Sequence, residues 1–356
     1  MTIMLDDQLP NRVAVIGAGS WGTAIAHTLA KKNMEVTLWA RNESIVNEIN
    51  QSKCNSKYLP NCLLHPNIHA TTSLQETVDG SPYVFLVVPS AAVPQIVASL
   101  QSFAYSPMTI VHAIKGFIQP NEDRVSLYLQ KKLAVNEQQI AVIGGPSHAE
   151  EVVRSMPTTL VVSSPSKNTA HKLQDMLMSN YLRVYTNPDW IGIEIAGALK
   201  NIIALSVGMA VGLGFGDNAK AAIMTRGLAE IARLGIAMGA SPLTFSGLAG
   251  VGDLIATCIS EHSRNFRTGR LLGQGMTLKQ AVEAQGMVVE GVRATEACLR
   301  LASQYHIEMP ITEAVAAVLF EGKQPKQVVS LLMDRDKTTE MEEWVLSSEN
   351  TSWRFV

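Results

Sequence analysis

The stretch RVAVIGAGSWGTAIAHTLAKK, residues 12–32, decides the fold. Residues 12–16 form a short β-branched run, glycines follow at Gly17, Gly19 and Gly22, and small and apolar residues then recur at helical spacing over residues 20–32. Strand, tight turn and helix in that order give GxGxxG its meaning. The first glycine permits the turn, the second lets a pyrophosphate approach the backbone, and the third lets helix and strand pack closely. The N–H groups of Ser20 and Trp21 then face an anion at a helix N-terminus. These residues predict a dinucleotide site, against the alternative of an ordinary glycine turn.

Outward from that unit, residues 35–40 (EVTLWA) read as a second strand. Residues 83–88 (YVFLVV) are apolar throughout, as in a strand covered on both faces, which predicts a parallel sheet. Residues 92–103 read as a helix, and residues 109–113, 140–143, 159–163 and 183–186 as further strands. Strands alternating with helices predict a Rossmann-like, doubly wound α/β domain over residues 1–189. After Asn187-Pro188 the strand signal disappears, so residues 190–356 are expected to be an all-helical, substrate-binding domain. Ser241-Pro242 and the glycines within 247–252, 273–275 and 286–291 would punctuate its helices. Residues 191–214 are apolar and long enough to cross a bilayer, but Glu194, Lys200 and Asn201 interrupt them, which favours a helix buried in protein. No structure is predicted for the polar tail from Asp334.

Composition sets limits. A chain of 356 residues with 47% hydrophobic content can bury two cores. A net charge of -2 without a basic run excludes sequence-independent nucleic-acid binding. Cys54, Cys62, Cys258 and Cys298 contain no CxxC pair, so neither a metal site nor a disulfide framework is expected, and they read as reduced thiols of a cytoplasmic protein. The start, MTIMLDDQLP, lacks the basic and long apolar regions of a secretory signal.

The candidate chemistry rests on a few side chains. An NAD-specific site usually carries an acidic residue about 20 positions beyond the glycines. Arg41 stands there instead, which favours a 2'-phosphate and hence NADP, with NAD also possible; a solvated loop cation is the alternative. Lys200 lies in WIGIEIAGALKNIIALSVGMA with Ile193, Gly197 and Ala204 on its helical face. A desolvated lysine has its pKa lowered, as a proton donor and acceptor for a carbonyl/alcohol pair requires; otherwise it would snorkel to the surface. Lys115, after the strand at 109–113, sits where ligands of open α/β sheets bind. In GGPSHAEE, residues 144–151, Ser147 is a candidate N-cap, while His148 without a carboxylate partner reads as structural. Ser263 is a candidate N-cap with Arg264 and Asn265 in the first helical turn, a combination suited to phosphate, whereas Arg267 and Arg270 read as a solvated face. Asp253, one turn before Thr257, would balance the charge of Lys200 or cap a helix.

Taken together, GAGSWGTA, KYLPN, AIKG, GPSHAEE, GALKNIIA, GLAGVGDLIATC, SRNFRTG and VVEG resemble the bacterial NAD(P)-dependent glycerol-3-phosphate dehydrogenase family over nearly the whole chain. The resemblance implies interconversion of sn-glycerol 3-phosphate and dihydroxyacetone phosphate, supply of glycerol phosphate for phospholipid synthesis, and a homodimer. It implies Lys200 as proton acceptor, Lys115 beside cofactor and substrate, and Asn201, Asp253 and Thr257 around them. Gly145, Ser147, Ser263, Arg264 and Asn265 would bind glycerol phosphate. Ser20, Trp21, Arg41, Tyr58, Ala149, Arg264, Val288 and Glu290 would face the dinucleotide. Ser206 and His148 depart from the residues the family often has at those positions. Two other readings compete: a β-hydroxyacid dehydrogenase of the 6-phosphogluconate type, disfavoured by the phosphate-suited helix start at Ser263, and a non-catalytic dinucleotide sensor, disfavoured by Lys200.

Overall fold

The computed structural model of the chain describes residues 9–103, 108–286, 288–337 and 339. Eight strands make one sheet: β1 (Arg12–Ile16), β2 (Glu35–Trp39), β3 (Ile68–Thr71), β4 (Tyr83–Leu86), β5 (Thr109–His112), β6 (Ile140–Gly144), β7 (Thr158–Ser163) and β8 (Leu182–Asn187). Their order is β3-β2-β1-β4-β5-β6-β7-β8. The chain winds outward from β1 through β2 to β3, then crosses back to place β4 on the other side of β1. That reversal creates a crevice at the carboxyl ends of β1 and β4, where α/β proteins bind ligands.

The expected all-parallel sheet holds only for β1 to β6. β7 pairs antiparallel with β6, Ile143 opposite Val162, and β8 follows β7 in parallel. The chain turns back after the helix Ala149–Val153 without crossing the sheet, and β-branched content says nothing about strand direction. β3 is a four-residue strand absent from the sequence reading; exposed His69 breaks its apolar run. Apolar side chains on the two sheet faces form separate cores, one centred on Leu29, Leu38 and Phe85, the other on Ile16, Leu86 and Leu129.

Beyond β8 the chain is helical, beginning with the long helix Trp190–Gly212, whose flanks are almost entirely buried among other helices. Its closest neighbour is the helix Arg264–Gly273. A Cβ added at Gly208 would stand 2.1 Å from the Phe266 carbonyl oxygen, and one at Gly269 2.1 Å from that of Leu205. Backbone meets backbone here, so the obstacle cannot rotate away. Gly269→Val is therefore expected to destabilise the fold by about 1–3 kcal/mol or more, read as a lowered urea midpoint. An unchanged midpoint would show that the two helices can part freely. The contact fixes the start of the Arg264–Gly273 helix against the segment carrying Lys200.

The glycines of residues 247–252 do not simply separate helices. They form a π-helical turn, Leu248–Gly252, closed by Gly252 N–H donating to Gly247 O (3.2 Å) and continuing into the helix Asp253–Ile259. A Cβ at Gly250 would lie 2.0 Å from the Phe245 carbonyl oxygen, so close packing explains the glycine.

Candidate active site

At the crevice, Gly17 has φ +119°, and a Cβ there would collide with the Val87 carbonyl oxygen at 2.2 Å. A Cβ at Gly22 would meet the Gly17 carbonyl oxygen at 1.8 Å, while one at Gly19 would meet nothing within 4 Å. Two glycines thus serve packing and the third faces open space. The helix Ser20–Ala30 starts there without a side-chain cap, leaving its N-terminus to an anion. This cradle fits a dinucleotide pyrophosphate.

The segment between the helix Glu43–Ser52 and β3 is pinned against the cradle. Asn55 Nδ2 donates to Ala18 O (3.0 Å) and Thr23 Oγ1 (2.8 Å), and Ser20 Oγ donates to Tyr58 O (2.8 Å). Tyr58 is thereby held beside the glycine loop. Trp21 packs with Leu59 and Ala149, which brings the start of the helix Ala149–Val153 to the same place. Arg41, two residues past β2, is exposed and has no hydrogen bond or ion pair to any described residue.

Lys200, Lys115, Asp253 and Thr257 converge. Asp253 opens its helix and spans both lysines: Oδ2 accepts from Lys115 Nζ at 2.9 Å and Oδ1 from Lys200 Nζ. Lys200 Nζ also donates to Thr257 Oγ1 (2.6 Å), whose hydroxyl donates to Asp253 O (2.7 Å). Asp253 is thus an ion-pair hub and caps nothing. Lys200 is only 5% exposed. Burial brings its ammonium down to about 7, and the neighbouring Lys115 charge pushes the same way against the pull of Asp253. Burial alone would raise the Asp253 carboxyl, but the two ammonium groups outweigh it and hold it below the ordinary value. Two cations facing one carboxylate leave a surplus positive charge, which a neutral Lys200 removes. Lys115 lies over Gly197 on the same face of the long helix: a Cβ there would be 3.6 Å from Lys115 Cγ.

Asn201, one residue past Lys200, accepts from Asn265 Nδ2 (2.9 Å), and Asn265 Oδ1 accepts from Gly291 N–H (2.9 Å). These bonds tie three helices together and bring Glu290 beside Arg264. Ser263 caps the helix Arg264–Gly273, accepting from Phe266 N–H (3.2 Å), and Arg264 is exposed at its start. Arg267 and Arg270 are half-buried, not fully solvated, and Arg270 pairs with Glu261 at 2.8 Å. Glu290 accepts from Ser90 Oγ (3.3 Å), and burial raises its carboxyl against the opposing effects of Ser90, Arg293 and Arg264. Ser90, Gly116, Phe117, Glu290 and Arg293 line a cavity of about 240 Å³ between the sheet and the helices. Ser90, at the carboxyl end of β4, went unnoticed in the sequence. Val288 is 47% exposed on the approach to Glu290.

After β6, Gly145 has φ +96°. Ser147 does not cap the following helix: its hydroxyl donates to Gly145 O (3.0 Å), and the uncapped position before Ala149 belongs to His148. The His148 ring lies 5.7 Å from that of His262, with Nε2 3.4 Å from Ala256 O; burial lowers its pKa. All four cysteines are free, and no cluster of metal ligands occurs among the described residues.

A dinucleotide cradle at the switch point of the sheet, with a buried lysine and carboxylate joined to Lys115 in the loop after β5, defines a nicotinamide-dependent dehydrogenase. The family model described as NAD-dependent glycerol-3-phosphate dehydrogenase N-terminus matches residues 12–170, and that of the C-terminus matches residues 189–330. Glycerol-3-phosphate dehydrogenase [NAD(P)+] of Halalkalibacterium halodurans is 53% identical over 331 residues, 93% of this chain and 96% of the relative. That of Geobacillus kaustophilus is 51% identical over 332 residues, again 93% and 96%. The crystal structure of glycerol-3-phosphate dehydrogenase from Coxiella burnetii superposes with a TM-score of 0.87 at 36% identity, covering 91% of this chain and 99% of that one. The chain belongs to the NAD-dependent glycerol-3-phosphate dehydrogenase family.

Proposed function

We propose that the protein interconverts sn-glycerol 3-phosphate and dihydroxyacetone phosphate and so supplies glycerol phosphate for phospholipid synthesis. The observation that carries this reading is the Lys200–Asp253–Lys115 cluster at the carboxyl edge of the sheet. The bound nicotinamide supplies or accepts the hydride. Neutral Lys200 takes the hydroxyl proton when the alcohol is oxidised, and its ammonium returns one when the ketone is reduced. Asp253 keeps both lysine heads in place, Lys115 reaches the substrate and cofactor, and Thr257 and Asn201 orient Lys200 and its helix. Gly145, Ser147, Ser263, Arg264 and the remaining amide N–H of Asn265 hold the glycerol phosphate, with the helix N-terminus and guanidinium taking its charge. Gly17, Gly19, Gly22, Ser20, Trp21, Arg41, Tyr58, Ala149, Arg264, Val288 and Glu290 face the dinucleotide. In this reading residues 1–189 hold the cofactor and residues 190–356 the substrate, in a cytoplasmic homodimer, as the family resemblance implies.

Steady-state reduction of dihydroxyacetone phosphate with NADPH and with NADH tests the activity: turnover with both is expected. Turnover of a β-hydroxyacid in its place would overturn the assignment. Arg41→Asp is expected to lower the NADPH/NADH ratio of kcat/KM by roughly ten- to a hundredfold, the worth of one or two charge-assisted hydrogen bonds to a 2'-phosphate. A constant ratio would reduce Arg41 to a surface cation.

A further inference from the structure

Glu194 is a buried charge that the proton-transfer scheme does not use. It interrupts the apolar stretch of the long helix, one and a half turns before Lys200. Its carboxylate accepts from Ser126 N–H (2.9 Å), Ser126 Oγ (2.5 Å) and Arg124 Nη1 (2.5 Å), and His112 Nε2 lies 3.2 Å away without a hydrogen bond to it. Burial alone would raise this carboxyl, but His112, Arg124 and Ser126 together hold it down to about 2.

The partners occupy telling places. His112 ends β5, and Arg124 and Ser126 flank the start of the helix Val125–Leu133, so they stand at the two ends of the loop that carries Lys115. One carboxylate is therefore hydrogen-bonded to the far end of that loop, at Arg124 and Ser126, and packs against its near end at His112. The two chains also run in step: His112 faces Glu194, and three residues on along each, Lys115 faces Gly197.

From this geometry we infer that Glu194 is a positioning residue for the reaction, holding the Lys115 loop in register with the helix that carries Lys200. The inference rests on the reading that Lys115 and Lys200 act on the substrate. Lys200 also faces Asp253 and Cys258 on the helix Asp253–Ile259 and His148 before the helix Ala149–Val153. Of the charges around it, Lys115 is the one whose place Glu194 sets. If the loop slackens, Lys115 recedes and Lys200 retains its proton to higher pH.

The test is the pH profile of glycerol 3-phosphate oxidation in Glu194→Gln, which keeps the shape of the side chain and removes its charge. The expected result is a folded protein with normal NADPH affinity. Its kcat/KM for glycerol 3-phosphate should fall by about ten- to a hundredfold, the scale of an ångström-sized misplacement, with the limb governed by Lys200 moved to higher pH. A merely structural role would lower the melting temperature and leave that limb in place. If Glu194→Gln does not fold, Ser126→Ala, which deletes one contact of the carboxylate, decides: a limb moved the same way supports the inference and an unmoved limb overturns it. Lys115→Gln separates the two layers. If it does not move the limb, the reading of the active site fails; if it does and a folded Glu194→Gln does not, only the positioning role fails.

Discussion

Lys200→Ala is expected to lower turnover by roughly two to four orders of magnitude, the usual worth of a positioned proton donor and acceptor. The fold should survive the change, because Asp253 would not be left as an unpaired buried charge: Lys115 still holds it at 2.9 Å. NADPH affinity, followed by fluorescence titration, should change little, since the glycine cradle is built from β1 and the start of the helix Ser20–Ala30, elements separate from the helix that carries Lys200. A folded variant turning over within a factor of about ten of the parent would remove Lys200 from the chemistry.

Arg264→Ala should cost about two orders of magnitude in kcat/KM for dihydroxyacetone phosphate, as expected for losing a pair of charge-assisted hydrogen bonds. Affinity and turnover should fall together, because contacts to the phosphate also place the carbonyl against the nicotinamide. The gap between dihydroxyacetone phosphate and unphosphorylated dihydroxyacetone should narrow sharply, since only the first uses the guanidinium. Arg264 also lies close enough to Glu290 to influence its carboxyl, so cofactor affinity needs its own titration. An unaltered preference for the phosphorylated substrate would move the anion site to Lys115 and the turn at Gly145 and Ser147.

The features legible in the sequence are those whose causes are local. The positive φ of Gly17 and the closeness of Gly22 to the Gly17 carbonyl arise within one strand, turn and helix, so GxGxxG announced them, whereas the crowding of Gly17 by the Val87 carbonyl after β4 became visible only in the fold. Ser263 as a helix cap is equally local, being a bond to the N–H three residues on. Lys200 stood out because a charge inside an apolar helix needs an explanation. Partner choice was less legible. Ser147 has a cap-forming side chain, yet its hydroxyl found the carbonyl of Gly145 first. Asp253 could have capped a helix, and only the fold shows two lysines, 138 and 53 residues away in sequence, meeting on its oxygens. Glu194 was visible as an interruption, but its partners 68 and 70 residues away were not. The reversed direction of β7 was hidden for a related reason, because direction is set by how the chain crosses the sheet, not by the residues of the strand.

The pH dependence of turnover, followed in both directions under saturating substrate and cofactor, bears most directly on Lys200 as the proton-transfer group. Neutral Lys200 accepts the proton in alcohol oxidation, so oxidation should rise with pH through about 7; the ammonium donates in ketone reduction, so reduction should fall over the same range. Both limbs should vanish from the residual activity of Lys200→Ala. Limbs that persist in that variant would contradict the account and assign the proton to another group.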